Sequence, residues 1–212
     1  MSSLPPHKAE RAALCHLLRR LGPDEPTLCE GWTTRDMAAH LWVREHKPVA
    51  SIGIVVRAAS GLHDKAILRA EERLGFEGLV AGVRNGPPLL WRPVDAAFNT
   101  QEYFVHHEDV RRGAGDTTPR PADEVAAVEA VLWKNLQRAH RLLLRKVKGV
   151  RVDLVAPGRE PIHAGHGDAV VTITGRPGEV VLYLLGRRGA ARVEVSGPEE
   201  ARAALEDADL GI

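Results

Sequence analysis

The chain has 212 residues, 44% of them hydrophobic and 27% charged, which is the make-up of a water-soluble globular protein of one or two domains. A formal net charge of +1 gives no global electrostatic pull toward nucleic acid or an anionic membrane. No apolar run reaches the ~18 residues a bilayer-spanning helix needs, and two cysteines, Cys15 and Cys29, support at most one disulfide. The expectation is a reducing cytoplasm, with no leader legible in MSSLPPHKAER.

The first ~147 residues read as helices. Residues 5–21 carry Ala9, Ala13, Leu14, Leu17, Leu18 and Leu21 at helical spacing and stop at Gly22-Pro23. In CEGWTTRDMAAHLWVREHKP, Thr33 is a good N-cap with Asp36 as its capping-box partner, Trp32 and Met37 are placed as a hydrophobic staple, and Pro48 closes the helix. A third helix covers residues 63–83, with a break expected near Gly75 and Gly78, and ends at NGPP. A fourth begins near Asp95 or Asn99 and ends at Gly113; a fifth covers 122–147, with Val125, Val128, Val131, Leu132, Leu136, Leu143 and Leu144 at helical spacing. Long helices on short or medium connections predict a mainly α protein built as an antiparallel bundle.

After Gly149 the texture changes. RVDLVAP and DAVVTITG are rich in β-branched residues and read as strands. RPGEVVLYLLGRRG reads as a short helix between Pro177 and Gly186, AARVEVSG as a strand, and PEEARAALEDA as an amphipathic helix. The expected division is therefore a helical bundle over 1–147 and a small α+β unit over 148–212.

The segment NTQEYFVHHEDVRR concentrates the chemistry. At roughly 100° per residue, His106 lies about 40° from Glu102 and Asp109 about 20° from it, while His107 falls about 140° away on another face. A carboxylate and an imidazole side by side at i, i+4 are how a helix offers two ligands to one ion. They are equally an ordinary helix-stabilising pair worth a few tenths of a kcal/mol. A third ligand has to come from another helix, and His40 qualifies, since it sits among Met37, Leu41 and Val43 where a free imidazole is poorly solvated. A His2Glu set with an open position suits catalytic Zn²⁺ and also non-haem Fe(II). Asp109 is a further acceptor or a spare ligand.

Other residues read more simply. Cys15 belongs to an apolar helix face, and Cys29 has no adjacent histidine and reads as a buried structural thiol. Trp32, Trp42, Trp91 and Trp133 read as packing. His163 and His166 sit in a Gly-rich loop without a third ligand, and Gly158 and Gly165 make no phosphate loop.

CEGWTTRDMAAHL resembles the N-terminal signature of the mycothiol-dependent maleylpyruvate isomerase family, within the wider DinB-like metalloprotein superfamily. NTQEYFVHHEDVRR resembles that group's second metal segment, and GRPGEVVLYLLGRRGAARVEVSG its C-terminal domain, with an actinobacterial subfamily of metal-binding proteins the nearest in pattern. The resemblance covers nearly the whole chain. It implies a DinB-like four-helix bundle with a small C-terminal α+β domain, and His40, Glu102 and His106 as ligands of a divalent metal, usually zinc. It also implies mycothiol as a thiol cosubstrate, a small electrophilic substrate, and either isomerisation or S-transfer, with Arg187 or Arg188 supplying a cation to the site. Arg187 is the expected catalytic residue; the partners expected are small molecules, with no nucleic acid or membrane, and the assembly a monomer or homodimer. A non-catalytic metal-binding or ligand-sensing module, or a metal-assisted hydrolase using Asp109 or Glu108 as base, are the alternatives. The loops at 48–62 and 85–94 are expected to shape the substrate pocket.

Overall fold

The computed structural model describes residues 4–47, 60–89 and 95–210; Trp91, Pro48 and most of the two expected pocket loops lie outside the described residues. Among the described residues there are seven helices and one four-stranded sheet, and the chain divides into two compact units, Met1–Pro119 and Arg120–Ile212.

The first unit is a four-helix bundle of α1 (Pro6–Leu21), α2 (Thr34–His46), α3 (Ser60–Asn85) and α4 (Asp95–Gly113). Its core is aliphatic, with Leu14, Leu18, Met37, Ala38, Leu79 and Val83 fully buried. α2 starts where the sequence says it should: Asp36 Oδ2 accepts from the Thr33 backbone N–H at 2.8 Å and from the Thr33 hydroxyl at 2.6 Å, so the capping box closes. α3 is bent at Gly75, whose φ of +60° leaves the helical region, while Gly78 continues the helix.

Antiparallel packing holds for α1 against α3, where Arg11 lies beside Gly86 and Arg19 beside Glu77. It holds also for α2 against α4, where Glu45 meets Asn99 and His40 meets His106. α1 and α4 run the same way, from a shared end at Pro5 and Ala96 to Leu28 bonded to Asp109. α2 and α3 do too, with Asp36 near Glu71 and Trp42 against Gly82. A parallel neighbour requires more than a tight turn between the two helices, and residues 47–59 separate α2 from α3 in the sequence. Gly82 is what lets α3 approach α2, because a Cβ there would stand 2.5 Å from the Trp42 ring.

The second unit begins earlier than the change in sequence texture implies. α5 (Ala122–Leu143) packs on α6 (Pro177–Leu184) and on the sheet, burying Val125, Val128, Leu132, Trp133 and Leu136. The boundary thus falls at Pro119 and not at residue 147, since α5 places its apolar stripe on the unit that follows it. The sheet has the order β2-β1-β3-β4, built from β1 (Arg151–Val155), β2 (Ile162–Gly165), β3 (Val170–Thr174) and β4 (Glu194–Ser196). β1 and β3 are parallel, and the two edge strands are antiparallel to their neighbours. α7 (Glu199–Asp207) packs against β3. β2 was expected to be loop; it pairs with β1 in register, His163 opposite Asp153.

Candidate metal centre

Two segments of the first unit and the loop joining α1 to α2 meet at one place. His40 projects from the middle of α2 and is 5% exposed, so its imidazole is enclosed by the protein. Trp32, just before the α2 cap, lies with its ring 5.1 Å from that of His40. On the other side the His106 ring meets His40 edge-on, with centroids 5.1 Å apart at 74°. Glu102 Oε2 is 3.5 Å from His106 Nε2, the i, i+4 neighbourhood that the helix dictates. One donor atom from each of His40, Glu102 and His106 lies within 4.8 Å of the other two. The structure therefore brings together the three residues singled out in the sequence.

His106 is held from both sides. Its Nδ1 is 2.9 Å from Asp109 Oδ2, leaving Nε2 turned toward Glu102. This is the carboxylate–histidine arrangement that fixes ring orientation and tautomer when an imidazole serves as a ligand. Asp109 Oδ2 also accepts from Cys29 Sγ at 3.5 Å, and Cys29, His106 and Asp109 form a second group of donors within 4.8 Å of one another. Cys29 is half-buried: it packs against the bundle core, as a structural thiol does, and its Sγ also reaches Asp109. Its position depends on Gly113: a Cβ there would stand 2.4 Å from Thr27 Cα, so only glycine lets the loop lie on the end of α4, where Leu28 N–H bonds Asp109 O at 3.0 Å. No spacing in the sequence marks that approach.

The electrostatics favour positive charge at the centre. Burial pushes the Glu102 carboxyl up, but hydrogen bonding to His106 and the Arg44 cation outweigh it and hold the group at about 2. Burial disfavours a charged His106, yet the bonds to Asp109, Cys29 and Glu102 drive its pKa well above the usual imidazole range. Arg44 Nε is 3.4 Å from Glu102 Oε2 and its guanidinium also donates to Asn99 Oδ1. Asn99 Nδ2 donates to Glu45 Oε1 at 3.0 Å, and Glu45 Oε1 further accepts from Arg11 at 2.8 Å and Tyr103 OH at 2.5 Å. Sequence reading passed over this buried network. Its signal was there: Arg44 is one turn past His40, and Asn99 one turn before Glu102.

The donor set fits a divalent ion. Two imidazoles and a carboxylate are the ligand types of Zn²⁺ and of Fe(II), and two donors on one tetrahedral ion stand about 3.4 Å apart. The present spread, at most 4.8 Å, is close to that. Asp109 is engaged with His106 Nδ1 and is not in the His40–Glu102–His106 group, so among the described residues that group has three protein donors.

The remaining expectations resolve individually. His107 bonds Glu10 Oε2 at 3.0 Å across the α1–α4 contact, away from the centre, as its helical angle predicts. Glu108 is enclosed by Arg111 and Arg112 at 2.9 and 2.7 Å, which hold its carboxyl below the usual range against the opposing effect of burial; it is not poised as a base. Cys15 is buried, which pushes its thiol up to about 11. His163 pairs with Asp153 at 2.8 Å, and neither it nor His166 joins a donor group among the described residues. In the second unit, Arg188 donates to the carbonyls of Leu205, Glu206 and Ala208 and so caps α7, while Arg187 donates to Leu185 O at 2.7 Å.

Comparison with solved structures gives a match over most of the chain. The crystal structure of the mycothiol-dependent maleylpyruvate isomerase superposes with a TM-score of 0.54 over 90% of both chains at 18% identity. This chain has that fold. A mutant form of the same isomerase matches with a TM-score of 0.54 at 16% identity, again over 90% of each chain. No protein-family model matches the sequence, and no curated protein matches it. The maleylpyruvate isomerase fold is therefore legible in the arrangement of elements, and at this identity the comparison speaks to architecture alone.

Proposed function

We propose that this protein is a metal-dependent enzyme of low-molecular-weight thiols, with His40, Glu102 and His106 holding a divalent cation, zinc by donor type. The observation that carries the reading is the convergence of those three side chains, from helices far apart in sequence, within 4.8 Å. The mycothiol-dependent isomerase with the same fold supports a thiol chemistry, and mycothiol is the cosubstrate the reading names. A bound divalent ion would supply Lewis acidity that favours a thiolate over a thiol at neutral pH.

The chain's own groups have distinct tasks. Asp109 accepts a hydrogen bond from His106 Nδ1–H, which keeps Nε2 available on the Glu102 side. Arg44 restrains Glu102 and places a cation beside it. Trp32 forms an apolar wall against His40, which excludes water from one side of the centre. Arg187, proposed from the sequence resemblance, is the cation that would meet negative charge developing on the electrophile. Isomerisation or S-transfer on a small electrophile are the reactions consistent with these parts. A closed structural site would need a fourth protein donor, and Asp109 is occupied elsewhere, which favours an open site over the purely structural alternative.

Elemental analysis of the purified chain and of His40→Ala, Glu102→Ala and His106→Ala tests the centre. One equivalent of metal is expected in the parent and well under half in each variant, with the helical circular dichroism retained. Full metal content in His40→Ala would remove α2 from the site. Mycothiol should then raise the melting temperature of the metal-loaded form alone; no shift at saturating thiol would overturn the thiol reading while leaving the metal reading intact.

A further inference from the structure

A separate cavity of about 540 Å³ opens at the end of the first unit where α1 and α4 begin and α3 finishes. Its volume is that of a small-molecule site. His7, Lys8 and Arg11 line it from α1 and Arg84 from α3, and the other lining residues are an asparagine and small or apolar residues. No carboxylate lines it among the described residues. It shares no residue with the metal-ligand group.

The cationic wall is built and not merely scattered. Arg11 is 6% exposed and is fixed from behind, Nε to Tyr103 OH at 2.9 Å and Nη2 to Glu45 Oε1 at 2.8 Å. Gly86, with φ +78°, lets the guanidinium reach the cavity wall, since a Cβ there would stand 3.0 Å from Arg11 Nη1. Glu45 offsets the charge of Arg11 from the protein side, and Lys8 and Arg84 add two exposed cations at the rim. Like charges gathered around a concave, partly apolar space raise one another's energy, and an anion entering it relieves them.

We propose that this cavity is a binding site for a small organic anion, carboxylated or phosphorylated, distinct from the metal centre. The proposal is tested by calorimetric titration of the purified full-length protein with inorganic phosphate and, separately, with citrate, at ionic strength held constant with sodium chloride. Saturable one-to-one binding of at least one anion is expected, and the preferred probe tells phosphate from carboxylate recognition. The Lys8→Ala/Arg84→Ala double variant should bind about tenfold more weakly or worse, since two charge-assisted contacts to the anion are lost. Both side chains are at the surface, so its melting temperature without anion should match the parent; Arg11 is left in place because it also supports the bundle interior. His40→Ala should bind the anion as the parent does. Absence of saturable binding by both probes, unchanged affinity in the double variant, or loss of binding in His40→Ala would each overturn the proposal.

Discussion

Asp109 is fully buried, and its carboxylate bonds His106 Nδ1 at 2.9 Å and Cys29 Sγ at 3.5 Å. A buried carboxylate is costly unless something nearby requires its charge. An imidazole that ligates a cation through Nε2 is such a requirement, because the Nδ1 proton then becomes more acidic and the acceptor more valuable. Asp109→Asn keeps the shape and an acceptor oxygen while removing the charge. Metal affinity, measured by competition with a chromophoric chelator, should fall by about tenfold to a hundredfold, with the helical signal unchanged. Unchanged affinity would mean that Asp109 serves only the loop carrying Cys29. Glu102 and His106 were legible at this scale because helical spacing alone places them together. Cys29 was not, because its approach to α4 depends on a backbone contact that no periodicity encodes.

At the scale of elements, the ends of helices were the most readable feature and the close contacts between elements the least. Thr33 and Asp36 marked the start of α2 because the cap satisfies backbone donors through two side chains three residues apart, a purely local rule. β2 was missed because four residues, one of them glycine, carry too little β-branched signal; its pairing with β1 supplies what its composition lacks. Gly113 belongs to the unreadable class. By helix propensity alone, Gly113→Ala should stabilise α4 by up to about 1 kcal/mol. The tertiary contact predicts the opposite sign, because the added Cβ would meet Thr27 backbone atoms at 2.4 and 2.5 Å, and backbone cannot rotate aside. A loss of about 1–3 kcal/mol is expected from the urea midpoint at constant m, as for other overpacked sites. A variant as stable as the parent would show that residues 27–28 yield easily, and would weaken the case that glycine fixes Cys29 beside Asp109.

For the whole molecule, the division of the chain is where sequence texture and packing part company. Helix-rich sequence continues to Leu143, and a reading by composition assigns α5 to the bundle. Yet the four helices before Pro119 already bury a continuous core, from Leu14 on α1 through Met37 and Val83 to Val110 on α4. A fifth amphipathic helix has its apolar stripe free for the next unit, and a four-stranded sheet of this size needs a helix to cover it. α6 and the sheet meet that need with α5, whose Trp133 indole N–H reaches Glu160 O at 3.3 Å. Cooperative opening should follow packing and not sequence proximity. In native-state hydrogen exchange, amides of α5 should share the opening free energy and denaturant dependence of β1, β3 and α6, while α4 exchanges with α1. If α5 instead opens together with α4, the unit boundary belongs near residue 147, where the change in composition first put it, and α5 is a part of the bundle that only leans on the sheet.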